Sequence, residues 1–318
     1  MSTDPRAEAL PPVVAVVGST AVGKSDLALE LALRLGGEVV NTDAMQLYRG
    51  MDIGTAKLPP DERRGVPHHL LDVLGVTERA SVAVFQREAR AVIADCRARG
   101  VVPVLVGGSA LYTRAVLDRF EFPGTDPAVR ARWEDELERV GAPALHARLA
   151  EADPAAALAV LPTNGRRVVR ALEVIEVTGR PFSATLPRKE YVDPRTVQLG
   201  VDADRTSVDD RVGRRVERMW RDGLLDEVRD LAARGLREGS TAGRAIGYRE
   251  ALDHLDGVLT AEEARAATAL ATRRFARRQE SWFRKDERVT WLAHDAPDLP
   301  ERAVAAVRDL GHHVVGGA

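Results

Sequence analysis

The chain has 318 residues, 45% hydrophobic and 30% charged, and its 46 Lys+Arg against 48 Asp+Glu leave a net charge of -2. Its single cysteine, Cys96, excludes an intrachain disulfide or a Cys-cluster zinc site and suits a reducing compartment, while near-neutrality and 4% aromatic residues confine any nucleic-acid site to a local patch. The length allows two domains, each with a full core; no cationic start precedes an apolar run and no stretch approaches the roughly 18 apolar residues of a membrane span, so a cytoplasmic chain without a signal peptide or membrane segment is expected.

In chain order, residues 13–17 (VVAVV) are a short apolar, β-branched run ending in a Gly-containing turn, and residues 24–35 follow at helical spacing through Leu27, Leu31 and Leu35. The order repeats, with a buried strand at Val39-Val40, a helix over 81–99, a strand over 101–106 and a helix from Ser109. Such alternation implies an α/β fold, a parallel sheet with helices on both faces, which the G-x-x-x-x-G-K-[ST] match at residues 18–25 makes P-loop NTPase-like. From 121 to 194 the pattern is helical without a strand, which predicts an inserted all-helical domain; the core is expected over 10–120 and 195–318. Val197, Leu199 and Val201 alternate, so the sheet resumes there. Helices are then expected over 205–222, 224–234, 244–256 and 260–285, a last strand at 289–292 and a final helix near 300–310. No sustained heptad demands a partner, so a monomer is expected.

Gly18, Ser19, Thr20, Ala21, Val22, Gly23, Lys24 and Ser25 fit G-x-x-x-x-G-K-[ST], directly after a strand and at the start of a helix. Such a P-loop turns successive backbone N–H groups toward one anion, adds the partial positive charge of the helix N-terminus and a mobile Lys24 ammonium, and offers the Ser25 hydroxyl to a Mg²⁺ shell. A di- or triphosphate is the expected guest, and the motif does not say what carries it. Asn41-Thr42-Asp43 ends the next strand, placing Asp43 beside the P-loop as a metal-bound acid, a general base or the N-cap of the turn that follows. Gly107-Gly108-Ser109 ends the strand after that, where an ordinary NTPase more often shows an Asp.

Arg166, Arg167 and Arg170 share one helical stretch, and the segment from Arg273 to Arg288 holds seven cations against Glu280, Asp286 and Glu287, with Phe275, Trp282 and Phe283 interleaved. These offer phosphate contacts; Trp282 and Phe283 are expected to face the core. Cys96 reads as buried filler with no cation placed to make it a thiolate, and His68-His69 and His312-His313 do not present a shared helix face to a metal.

Several stretches together resemble the tRNA dimethylallyltransferases, or tRNA isopentenyltransferases: GSTAVGKS at 18–25, NTDAMQLYRGMDIGTAK at 41–57, PHHLLD at 67–72, LVGGSALY at 105–112, RRVVRALEV at 166–174, RAIGYRE at 244–250 and RRQESWFRKD at 277–286. The resemblance implies transfer of a dimethylallyl group from dimethylallyl diphosphate to the exocyclic N6 amine of the adenine at tRNA position 37, next to the anticodon, in tRNAs reading codons that begin with U. It implies a P-loop that grips the diphosphate leaving group with Mg²⁺, Asp43 receiving the amine proton, and Ser109 and Arg211 near the diphosphate and the reacting centre. It also implies tRNA contacts at Asp43, Ala44, Met45, Gln46, Ser109, Arg130, Arg166, Arg167, Val168, Val169, Arg170, Arg244, Ala245, Ile246, Gly247, Tyr248 and Arg249, with the helical insert gripping the anticodon stem-loop. Ser109 stands where many members carry Thr, Ala44 where many carry Ser and Ser19 where many carry Pro; the hydroxyl survives at Ser109, whereas Ala44 has lost a polar contact. A P-loop kinase acting on a small metabolite and a non-enzymatic tRNA-binding or nucleotide-switch protein would share the P-loop.

Overall fold

The computed structural model describes residues 10–185 and 189–313. The chain divides into two compact units, one made of the residues up to Leu117 and from Tyr191 on, the other of Asp118–Glu190. The larger unit begins with β1 (Val13–Val17), α1 (Lys24–Leu35), β2 (Gly37–Asn41), β3 (His68–His69), α2 (Val82–Ala98), β4 (Val102–Val106) and α3 (Ala110–Leu117). The smaller unit holds α4 (Pro127–Val140), α5 (Ala142–Ala152), α6 (Pro154–Ala159) and α7 (Gly165–Thr178). The larger then resumes with β5 (Thr196–Asp202), α8 (Arg205–Arg221), α9 (Leu224–Ala232), α10 (Tyr248–Leu255), α11 (Ala261–Phe283), β6 (Val289–Ala293) and α12 (Leu299–His313).

The six strands form one sheet in the order β3-β2-β4-β1-β5-β6, and every pairing is parallel. β1 lies at the centre, with Val14 opposite Val104 of β4 and Val197 of β5. Its five residues are all buried because both faces are covered. Val14 and Val16 join Leu27, Leu31, Leu199 and Val212 on one face, whereas Val13, Ala15 and Val17 join Phe85, Ala89, Tyr112 and Phe283 on the other. Parallel order sends the carboxyl ends of β1, β2, β4 and β5 to one edge, which is where ligands bind in sheets of this kind.

Several expectations shift. β3 is only two residues long and carries no periodicity to announce it. Helix does not run from 244: residues Ala242–Arg244 form a single 3₁₀ turn, Gly247 sits at φ 91, and α10 starts at Tyr248. Phe283 is in the core as expected, but Trp282 is 56% exposed and is not.

The smaller unit is all helical. Asp126 and Asn164 cap α4 and α7 by accepting backbone N–H groups of the first turn, and Pro127 opens α4 where a missing N–H costs nothing. Leu145, Leu149, Val168, Ala171 and Leu172 form its core. Its boundaries differ from the expected 121–194, because Arg119 N–H donates to the Glu190 carbonyl within this unit while Val192 N–H donates to Leu117 in the other. Tyr191 belongs to the larger unit, where its hydroxyl accepts from Gln198 Nε2 at 2.7 Å.

Leu199, fully buried on β5, tests the sheet's contribution. Leu199→Ala should lower unfolding stability by about 2–5 kcal/mol in denaturant titration, as a deep cavity does. Leu158→Ala, at a side chain 92% exposed, should change it by less than about 0.5 kcal/mol.

Candidate active site

After β1 the chain turns through residues 18–25 into α1. Ala21 holds φ 67, a left-handed conformation that costs a side-chain-bearing residue of the order of 1 kcal/mol. Gly23 precedes the helix without a side chain to cap it, so the first N–H groups of α1 are left for a ligand. Lys24 is half-buried and its ammonium donates to the Ser19 carbonyl. Its pKa is lowered to about 8, chiefly because burial disfavours the charge and secondarily because Arg215 is near; the Asp43 carboxylate works in the opposite direction. Ser25 is exposed at the head of α1.

Two arginines of α8 reach the same loop. Arg211 Nη1 donates to the Ala21 carbonyl at 3.5 Å and Arg215 Nη1 to Thr20 Oγ1 at 3.1 Å. Burial, then the charges of Arg218 and Arg211, disfavour the charged form of Arg215, with Asp26 opposing. Mutually repelling cations around uncapped helix amides form a site that a polyanion stabilises. Arg215 was not among the expected site residues; its signal is the i+4 spacing from Arg211 on a helix whose buried stripe is Val208, Val212 and Val216.

Asp43 follows β2. Its Oδ1 accepts Met45 N–H at 2.9 Å, and its own N–H donates to Asn41 Oδ1 at 2.8 Å, so the carboxylate is held by a local turn. Asn41 is anchored in turn by donating to the Leu70 carbonyl at 2.9 Å. The end of β4 packs directly on this turn: a Cβ on Gly107 would lie 2.3 Å from Thr42 Oγ1 and 2.8 Å from Asp43 N, so only glycine fits. Ser109 Oγ then accepts Ala44 N–H at 3.4 Å. P-loop, Asp43 and Ser109 therefore share one sheet edge, where the Asp43 carboxylate favours the charged form of Lys24.

The remaining expected positions separate by burial. Asp43, Ala44, Met45 and Gln46 are all half-buried. In the 244–249 stretch only Arg244 and Arg249 are exposed; Ala245, Gly247 and Tyr248 are buried, Ile246 is half-buried, and Tyr248 donates to Glu227 Oε1 at 2.5 Å. In the smaller unit, Val168 and Val169 point into the core and cannot offer side chains to RNA. Arg166 and Arg167 are exposed, whereas Arg130 and Arg170 both bind Glu173, which is fully buried. In the 273–288 segment Arg277, Arg284 and Arg288 are ion-paired to Asp209, Asp202 and Asp286, so fewer cations face outward than their number suggests.

Cys96 has neighbours that the sequence did not indicate. Its Sγ donates to Glu38 Oε2 at 3.4 Å, and the same carboxylate binds His69 Nε2 and both terminal nitrogens of Arg99. Burial, then the Glu38 carboxylate, pushes the thiol up to about 11, so it stays protonated despite the guanidinium. Arg99 forks both oxygens of Glu38, which leaves this cluster internally satisfied.

Residues 46–286 match the family model described as IPP transferase. The chain is 64% identical over 296 residues to the tRNA dimethylallyltransferase of Nocardioides sp. (strain ATCC BAA-499 / JS614), covering 93% of this chain and 96% of that one. It is likewise 64% identical to that of Thermobifida fusca, covering 93% and 94%. Among solved structures it resembles the full-length tRNA isopentenylpyrophosphate transferase of Bacillus halodurans, with TM-score 0.70, 40% identity and coverage of 96% and 99%. It also resembles a eukaryotic dimethylallyltransferase acting on tRNA, with TM-score 0.84, 27% identity and coverage of 95% and 80%.

A Lys24 pKa of about 8 carries a pH prediction. An anion binds the protonated ammonium better, so affinity for inorganic diphosphate should fall as pH rises through about 8, and binding near that pH should take up protons. Asp43 raises the Lys24 pKa, so Asp43→Asn should move the break to lower pH, and Lys24→Arg should remove the Lys24 contribution. Calorimetric titration in buffers of different ionisation heat reads both; wild type and Lys24→Arg with identical pH dependence would refute the assignment.

Proposed function

The chain belongs to the IPP transferase family, and from that membership we propose that it transfers a dimethylallyl group from dimethylallyl diphosphate to the N6 amine of adenine 37 in tRNAs reading codons that begin with U, acting as a cytoplasmic monomer. The observation that carries this reading is the convergence of a polyanion cradle with a fixed carboxylate at one sheet edge. One group suits the leaving diphosphate and the other suits the acceptor.

In this mechanism the P-loop amides, Lys24, Arg211 and Arg215 hold the diphosphate and absorb charge as the allylic C–O bond breaks. The N6 lone pair forms the new bond to the allylic carbon. Adenine's amine is a weak nucleophile because that pair is delocalised into the ring, so the proton must leave as the bond forms, and Asp43 accepts it. Ser109, one hydrogen bond from Ala44, borders the acceptor end with Met45 and Gln46. The adenine must leave its stack to arrive there. Mg²⁺ suits the oxygen donors that Ser25 and a diphosphate would supply, and when bound it neutralises the leaving group. Arg166, Arg167, Arg244 and Arg249, all exposed, together with Arg130 and Arg170, are the side chains of the expected contact stretches that suit tRNA phosphates.

Incubation with undermodified tRNA, Mg²⁺, allyl-labelled dimethylallyl diphosphate and γ-labelled ATP tests the reaction: the allyl label should move to tRNA and the phosphate label should stay. Phosphate transfer to any acceptor would instead support a kinase. The RNA contact is tested by salt, since each phosphate neutralised contributes a slope of roughly 0.7–0.9 in log affinity against log salt. Arg166→Ala and Arg167→Ala should each flatten the slope by nearly that amount, and an unchanged slope for both would remove them from the interface.

A further inference from the structure

We propose that Gln279 is the positioning residue that sets the diphosphate loop in register with the Ser109 loop, an inference that rests on the transferase reading above. Gln279 lies on α11 at a place the helix pattern reserves for apolar residues: Ala276, Gln279 and Phe283 are three successive buried positions. A carboxamide there must be satisfied internally. It is, by the two loops themselves. Oε1 accepts Thr20 N–H at 2.9 Å, and Nε2 donates to the Gly108 carbonyl at 2.8 Å.

The polarity admits one arrangement. Thr20 N–H can only donate and the Gly108 carbonyl can only accept, so a flipped amide would break both bonds. The fit is also close, because a Cβ on Gly108 would lie 2.1 Å from Gln279 Nε2. A side chain at Gly108 would displace the carboxamide from both of its partners. Thr20 is held from two directions, since its hydroxyl also accepts from Arg215. That clamp lies directly before Ala21, whose left-handed conformation needs support. It also withdraws Thr20 N–H from the amides that face an anion.

The chain of contacts runs from Thr20 through Gln279 to Gly108, and from the adjoining Ser109 to Ala44 and Asp43. Its two ends are the groups assigned to the donor and the acceptor. Displacement transfer needs the attacking nitrogen and the allylic carbon about 3–3.5 Å apart and aligned, and a misplacement of about 1 Å costs roughly 10²-fold in rate. Gln279 touches neither reactant and acts through the loops it joins.

Gln279→Leu keeps the volume and deletes both bonds. Its single-turnover transfer rate at saturating donor and tRNA should fall by roughly 10²-fold, with KM for donor changed much less. Gln279→Glu separates positioning from bulk structure. As a carboxylate it repels the Gly108 carbonyl, but when protonated its O–H donates to Gly108 while its C=O accepts from Thr20, so both bonds return. Burial beside a carbonyl raises that carboxyl's pKa, and the ratio of the Gln279→Glu rate to wild type should climb as pH falls from 8 to 6. Thermal melts at each pH establish that the variants are folded. If wild type transfers and both variants stay within twofold of it at every pH, the positioning role is overturned while the function stands. If Gln279→Leu cannot be obtained folded, the Gln279→Glu pH ratio decides alone, a flat ratio overturning the role. If wild type transfers no prenyl group, the functional reading falls and takes the role with it.

Discussion

The constraint on which the site depends is the parallel pairing of β1 with β4 and β5, and of β4 with β2. Parallel strands deliver every carboxyl end to the same edge, so the 18–25 loop after β1, a carboxylate after β2 and a glycine-serine turn after β4 must meet. No single segment contains a site. The hydrophobic faces that hold β1 between two layers of helices are therefore also what holds Lys24 near Asp43.

Electrostatics then gives the edge its chemistry. Lys24, Arg211 and Arg215 are brought together against their own repulsion, and the half-buried Lys24 carries a depressed pKa. Such an arrangement costs stability in the free protein and lowers the cost of binding a polyanion there. Close to it, Asp43 is held by its own turn, fixed in position and close enough to influence the lysine. In the smaller unit the same logic recurs structurally: Glu173, buried, fixes Arg130 and Arg170. Those arginines are oriented side chains and not a diffuse positive coat.

Local signals were legible in the sequence. The P-loop, Asp43 and Gly107-Gly108-Ser109 stand at strand ends that short β-branched runs announce, and the alternation of strand and helix indicates the parallel sheet. What stayed hidden depends on distant partners. Arg215 shows its role only when α8 is laid beside the loop, and Gln279, a polar residue in an apolar stripe, makes sense only with Thr20 and Gly108 on either side. Val168 and Val169 sit among arginines that the family pattern assigns to RNA, but the helical period turns them into the core. Trp282 went the other way: hydrophobicity favoured burial, and it is exposed. Two-residue β3 is too short to carry a period, and Gly247 moves the start of α10 in a stretch whose composition reads as helix.

The central claim is that donor and acceptor are served by different groups at this edge, with Asp43 on the acceptor's side. It is tested most directly by measuring, on Asp43→Ala alone, both the affinity for dimethylallyl diphosphate and the single-turnover transfer rate at saturation. A general base predicts a rate loss of roughly 10²–10⁴-fold with donor affinity nearly unchanged. A large loss of Mg²⁺-dependent donor affinity with a near-normal rate at saturation would instead place Asp43 on the metal and contradict the account.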